Sequence, residues 1–262
     1  MNSIMSEVLL EKRGHTALIT LNKPKTLNAL CLSFMKDIEA AVDQVIQDPE
    51  CYVLMITGTG KSFIAGADID EMYHLEQNQV LSWAQAGSNL NLKLEQMSIP
   101  TIAVINGYAL GGGLELAMSC DIRLASDRAK LGLPEVTLGV TCAAGGTQRL
   151  PRIVGEGIAK EMIFTGKIID APEALQIGLV QHIYPSDELL EEAFALAHQI
   201  EKNGQIAVCT SKQDIEFARH STIEAGCHYE DEHFYPLFET EDQKIGMGGF
   251  LRKEKNIRFQ NR

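Results

Sequence analysis

Long apolar runs are missing from this 262-residue chain, and none approaches the roughly 20 residues a bilayer-crossing helix needs. The opening stretch, MNSIMSEVLLEKRGH, has neither a basic segment followed by an apolar one nor an excess of arginine. No secretory signal or transit peptide is expected from it, and a cytoplasmic protein is the default expectation. The six cysteines (Cys31, Cys51, Cys120, Cys142, Cys209, Cys227) form no C-x-x-C pair, which argues against a disulfide framework and a thiolate zinc site. The seven histidines include no H-E-x-x-H, so a helical metalloprotease site is absent, and no metal site is expected. There is no G-x-S-x-G nucleophile elbow. Basic residues are in deficit: 23 Lys and Arg face 35 Asp and Glu, a net charge of −12 that disfavours nonspecific nucleic-acid binding. The one basic cluster is the closing LRKEKNIRFQNR, where Arg252, Lys253, Lys255, Arg258 and Arg262 meet only Glu254.

What is present is ordinary for a globular protein with a real core. With 45% hydrophobic and 22% charged residues, the chain suits one large domain, or one domain with a small appendage. EVLLEKRGHTALITLN reads as a hairpin about Arg13–His15. SFMKDIEAAVDQVIQDPE reads as an amphipathic helix with Phe34, Ile38, Ala41, Val42, Val45 and Ile46 on one stripe. CYVLMITG, TIAVI and DIRLAS read as strands. Residues 77–97 read as a helix, with Val80, Trp83, Gly87, Leu90, Leu94 and Met97 at three- and four-residue steps. IVGEGIAKEMIFTG, SDELLEEAFALAHQIEKNG and everything from about residue 205 read as helical, around a short strand LVQHIY. Strands alternating with helices point to an α/β fold. We divide the chain into a core, 1–200, and a C-terminal helical region, 201–262.

Three loops carry chemistry. In FIAGADI, Gly66 marks a turn that needs positive φ, or else the small residues Ala65, Gly66 and Ala67 let a ligand approach the backbone with the Ala67 N–H free to donate. In YALGGGLELAM, three glycines precede a helix whose first N–H groups lack intrahelical partners and whose dipole favours negative charge. This run has neither the G-x-G-x-x-G of a dinucleotide site nor a P-loop's G-K-[ST] at the required spacing. It suits a small developing anion, and Ala67 with Gly112 forms a candidate oxyanion hole. Close helix–strand packing is the alternative reason for the glycines. In LGLPEVTLGVTCAAGGTQRLPR, Pro134 biases Leu133 toward an extended backbone and presents Glu135 from a strand end or loop. Glu115 and Glu135 together would make a two-carboxylate acid/base site.

The motifs NKPKTLNAL, KSFIAGADIDEM, PTIAVINGYALGGGLELAMSCDIRLAS, LGLPEVTLGV and GGTQRL, in that order, resemble the enoyl-CoA hydratase (crotonase) family over nearly the whole chain. The resemblance implies a spiral of repeated ββα units, with a helical C-terminal part that mediates contacts in trimers or dimers of trimers. It places the oxyanion amides on Ala67 and Gly112 and the catalytic glutamates on Glu115 and Glu135. The implied reaction is hydration of a trans-2-enoyl-CoA, with isomerisation or a non-catalytic binding role as alternatives. Coenzyme A would enter as part of the substrate, with no separate cofactor. Contacts to it are implied near Lys25, Leu27 and Ala29 and near Ala65, Asp68, Ile69 and Gly113, with help from the basic tail and Phe259. The chain departs from the family in one loop, with Cys142–Ala143 where Pro-Gly is usual. The extra methyl is expected to tighten the pocket or tilt an amide there.

Overall fold

A computed structural model describes residues 7–262. Strands β1 (Val8–Arg13) and β2 (Thr16–Leu21) form the expected hairpin, and α1 (Leu32–Ile46) follows. Next come β3 (Val53–Gly58), β4 (Ser62–Ile64), α2 (Ile69–Tyr73) and α3 (Gln77–Glu95). The unit then repeats as β5 (Thr101–Ile105), β6 (Tyr108–Leu110) and α4 (Gly112–Ser119). It repeats again as β7 (Ile122–Ser126), β8 (Lys130–Gly132), a 3-10 turn at Glu135–Leu138 and α5 (Gly146–Val154). The chain closes with α6 (Glu156–Thr165), β9 (Ile168–Asp170), α7 (Ala171–Gln176), β10 (His182–Tyr184), α8 (Leu189–Glu201), α9 (Gln205–Ala218), α10 (Ile223–Leu237) and α11 (Glu241–Leu251).

Each unit sends its first strand to one sheet and its second to another. The larger sheet has the order β1-β2-β3-β5-β7-β10, parallel from β2 onward; the smaller has the order β4-β6-β8-β9. Three successive ββα units are therefore visible in the strand order. Strands of three residues leave too little side-chain pattern to be read from sequence, and β4, β6, β8 and β9 were not expected. The glycine corner is accordingly reached from β6 rather than directly from TIAVI. Nor is IVGEGIAKEMIFTG one helix; it breaks at Gly155 into α5 and α6.

Period-two burial sorts the larger sheet's side chains. Leu18, Val53, Met55, Ile102, Val104 and Leu124 face Leu189, Ala193 and Ala197 of α8. Ile19, Leu54, Ile56, Ala103 and Ile105 face the main core, where α1 adds Phe34, Ile38 and Val42. Ile46 is instead half exposed. It is the last residue of α1, one position past the final buried residue, Val45.

Helix α9 is held to the core, and the tail to α11, by polar anchors. Lys212 of α9, buried, pairs with Asp121 at 2.8 Å and donates to Ile99 O. Asp242 of α11 accepts from the Gln260 and Asn261 amides at 2.6 and 2.9 Å. That folds the tail back onto α9 and α11. Arg252 pairs with Glu254 and Arg262 with Glu241, so the closing basic cluster is partly neutralised within its own region.

Candidate active site

The three consecutive glycines do three different things. Gly111, with φ +52° and ψ −126°, turns the chain from β6 into α4 in a conformation other residues avoid. Gly112 is the first residue of α4, and its N–H has no acceptor among the described residues. Gly113 is there for packing: a methyl built on it would lie 2.2 Å from Ile64 O. Close helix–strand packing thus accounts for Gly113, while the open amide lies at Gly112.

The second amide arises from an isolated parallel bridge between Leu30 and Ala67. Leu30 N–H donates to Gly66 O at 2.9 Å, and Leu30 O accepts from Asp68 N–H at 2.8 Å. The bridge thus uses the peptide groups flanking Ala67 and leaves the Ala67 N–H on the opposite side, without an acceptor among the described residues. Ala67 and Gly112 line one cavity of about 190 Å³, as do Glu115 and Glu135. A groove of about 730 Å³ between α1 and α3 is larger, but its charged residues Asp48 and Lys93 are already paired with Lys12, Glu39 and Asp43.

Glu115 lies in the first turn of α4 and is 3% exposed. Its Oε1 accepts from Gly146 N–H at 2.7 Å and Ala144 N–H at 2.9 Å. Burial pushes this carboxyl up to about 7; the nearby Glu135 charge adds to the effect, while the two amides and Arg149 oppose it. Glu135 follows Pro134 in the 3-10 turn rather than on a strand end. Both of its carboxylate oxygens are shielded from solvent and have no hydrogen-bond partner. Burial raises its pKa as well. Two acids this close share protons as a pair, and ionising one opposes ionising the other.

Cys142 stands beside them. Its Sγ and one oxygen from each carboxylate all lie within 4.8 Å of one another, the one such donor group among the described residues. Burial, with the two carboxylate charges, pushes the thiol well above its ordinary range. Ala143 lines the cavity, and the next amide, Ala144, is the one that seats Glu115.

Ala65 and Ile69 also line the cavity. Lys25, Leu27, Ala29, Asp68 and Gly113 do not. Asp68 caps α2 by accepting from Glu71 N–H at 3.2 Å, and Gly113 is buried against Ile64. Leu27 O holds Ala65 N–H at 3.1 Å and Ser62 Oγ at 2.7 Å, which joins the 25–29 loop to the oxyanion loop. Within one chain, no tail residue reaches the cavity lining; Phe259 sits by Gly204 and Gly246.

Two residues were missed from the sequence. Asn28, fully buried with φ +58°, accepts from Lys23 N–H and donates to Ser62 O and Phe63 O at 2.9 and 3.0 Å. Its place in NKPKTLNAL was the only signal. Glu71 binds Trp83 Nε1–H at 2.8 Å and the Leu32 amide at 3.0 Å, and nothing in the sequence marked that contact.

Comparison with known proteins bears on the family. The enoyl-CoA hydratase/isomerase family model matches residues 11–261. The chain is 44% identical over 259 residues to a short-chain-enoyl-CoA hydratase of Clostridium acetobutylicum, covering 98% of this chain and 99% of that protein. It is 44% identical over 249 residues to a crotonyl-CoA hydratase of Syntrophomonas wolfei, covering 95% and 96%. The crystal structure of an enoyl-CoA hydratase from Bacillus anthracis matches with a TM-score of 0.95 at 35% identity, covering 98% and 100%. From the two free amides, the paired acids and these matches, the chain belongs to the enoyl-CoA hydratase/isomerase family.

Proposed function

We propose that this protein is an enoyl-CoA hydratase that adds water reversibly across the double bond of a trans-2-enoyl-CoA, giving a 3-hydroxyacyl-CoA. The observation that carries the reading is the convergence of Glu115 and Glu135 on a cavity lined by Ala67 and Gly112, whose N–H groups are free. The thioester oxygen sits between those amides. As the water oxygen bonds to C3, the C2=C3 electron pair becomes a C1=C2 bond and the carbonyl pair moves onto the thioester oxygen, giving an enolate. The amides stabilise that charge, and losing one such donor costs about 3–4 kcal/mol. Glu115 takes a proton from the water, and Glu135 supplies or relays the proton that reaches C2. The Glu115 amide contacts hold its Oε1 and leave the other oxygen for the water. Adding water changes no overall oxidation state and calls on no redox cofactor. Coenzyme A is part of the substrate.

Short acyl chains are the favoured substrates, since two relatives at 44% identity are named for short-chain-enoyl-CoA and crotonyl-CoA. Lys25, Leu27, Ala29, Ala65, Asp68, Ile69 and Gly113 belong to the walls that receive the coenzyme: Ala65 and Ile69 at the cavity, the first three on the adjoining loop, and Asp68 and Gly113 through their backbone. The chain assembles as a trimer or dimer of trimers through its C-terminal helices, for which exposed Ile223, Tyr235, Phe250 and Leu251 are the support. Six free cysteines suit a reducing compartment, and we place the enzyme in the cytoplasm. Among the described residues no helix is long and apolar enough to cross a membrane.

The test is crotonyl-CoA in ¹⁸O-labelled water. Label at C3 of 3-hydroxybutyryl-CoA supports hydration, and double-bond migration without label supports the isomerase reading. Glu115→Gln and Glu135→Gln should each lose at least about 100-fold in kcat while still binding CoA. Full activity in either variant would overturn the paired-acid mechanism.

A further inference from the structure

We infer that Trp83, pinned by the Glu71 carboxylate, is the wall that limits acyl length in this enzyme. The inference rests on the hydratase reading and adds its specificity determinant. Contacts give the cavity a direction. A methyl on Gly112 would lie 3.0 Å from Leu30 and 4.0 Å from Glu115 Oε2, which marks the chemical end. A methyl on Gly87 would lie 3.4 Å from Ala144 Cβ and 3.6 Å from Met35 Sδ. Ala144 is also the residue whose amide seats Glu115. The cavity therefore runs from the amides, past Glu115 and Ala144, to a floor at Gly87 and Met35. Trp83 precedes Gly87 by one turn on the same face of α3 and lines the same cavity.

What makes this indole a wall is its anchor. Trp83 Nε1–H donates to Glu71 Oε2 at 2.8 Å, and the same oxygen accepts the Leu32 amide at 3.0 Å. One carboxylate thereby joins α2, α3 and the start of α1, the three elements around the floor. A methionine such as Met35 can shift to admit a longer chain. The indole cannot swing away without giving up a charge-assisted hydrogen bond. Glu71 is thus a positioning residue, acting on substrate choice through Trp83.

Wild-type enzyme should prefer crotonyl-CoA to trans-2-decenoyl-CoA by about 100-fold or more in kcat/KM. Trp83→Ala and Trp83→Leu should raise the decenoyl-to-crotonyl ratio about 10-fold or more, and Glu71→Gln should raise it less. Trp83 is the only tryptophan in the chain. Its emission should change when saturated butyryl-CoA binds, and acrylamide should quench it more readily in Glu71→Gln. Equal wild-type use of both substrates, or an unchanged ratio in folded Trp83→Leu, would overturn the inference. Should the wild type hydrate neither substrate, the hydratase reading fails alone. Equilibrium binding of butyryl-CoA against decanoyl-CoA then decides the wall: a preference relaxed by Trp83→Leu supports it, and equal binding refutes it.

Discussion

At Glu115 the protein keeps a carboxyl where it is uncomfortable. Unfolded, this group gives up its proton near 4.5; folded, it holds it to about 7. Between those values the native state binds more protons than the unfolded state, so stability falls as pH rises through this window. Above about pH 7 the full cost, about 3 kcal/mol, is in place. Urea titrations should find Glu115→Gln about as stable as wild type near pH 4, and more stable by about 2–3 kcal/mol near pH 8. No gain at the higher pH would mean that Glu115 is not strained in the folded enzyme. Glu135 supplies part of that upward push, so Glu135→Gln should lower the Glu115 pKa. Carboxyl NMR of ¹³C-labelled protein reads this directly, and an unmoved titration would show that the two acids are uncoupled. Cys142 adds no competing charge, because the same buried setting keeps its thiol protonated.

Among the elements, the site depends on two joints. One is the passage from β6 into α4, where Gly113 lets the helix lie directly on Ile64. Gly113→Ala places a carbon against backbone that cannot yield as a flexible side chain would. It should cost about 1–3 kcal/mol in chemical denaturation and lower kcat, because α4 carries both the Gly112 amide and Glu115. A variant with wild-type stability and rate would remove the packing role assigned to this glycine. The other joint is Asn28, whose side chain ties the 25–29 loop to β4 beside the oxyanion loop. Asn28→Ala leaves buried carbonyls without donors and should destabilise by about 2–3 kcal/mol. Its activity loss should exceed what the unfolded fraction explains, as comparison of kcat with circular dichroism at one temperature would reveal. α2, α3 and α1 meet at Glu71 in the same manner.

As a whole molecule, the chain leaves its C-terminal helices incompletely covered. None of α10 is buried in the single chain, and Phe250 and Leu251 are 78% and 80% exposed. Such exposed apolar side chains are the support for the proposed assembly. Sedimentation should find a trimer or hexamer, and Phe250→Asp should shift the distribution toward smaller species. A wild-type monomer at micromolar concentration would refute that assembly. The basic tail is held within the chain: two of its amides are taken by Asp242, and Arg252 and Arg262 are paired with Glu254 and Glu241.

Local pattern was enough for much of this protein. Six-residue strands, the α1 stripe and the glycine-to-glutamate corner follow from periodicity and backbone sterics, which act over a few neighbouring residues. Motif order was enough for the family and for naming Ala67, Gly112, Glu115 and Glu135. Tertiary structure alone decided that these four share one cavity, because the segments carrying them follow β4, β6 and β8, strands far apart in sequence that lie side by side and parallel in the smaller sheet. It alone revealed the three-residue strands, which persist through ladder partners rather than through their own residues. It also assigned Gly113 to packing, Asn28 to holding a loop and Trp83 to Glu71, since a long-range contact leaves no periodic trace in the chain that makes it.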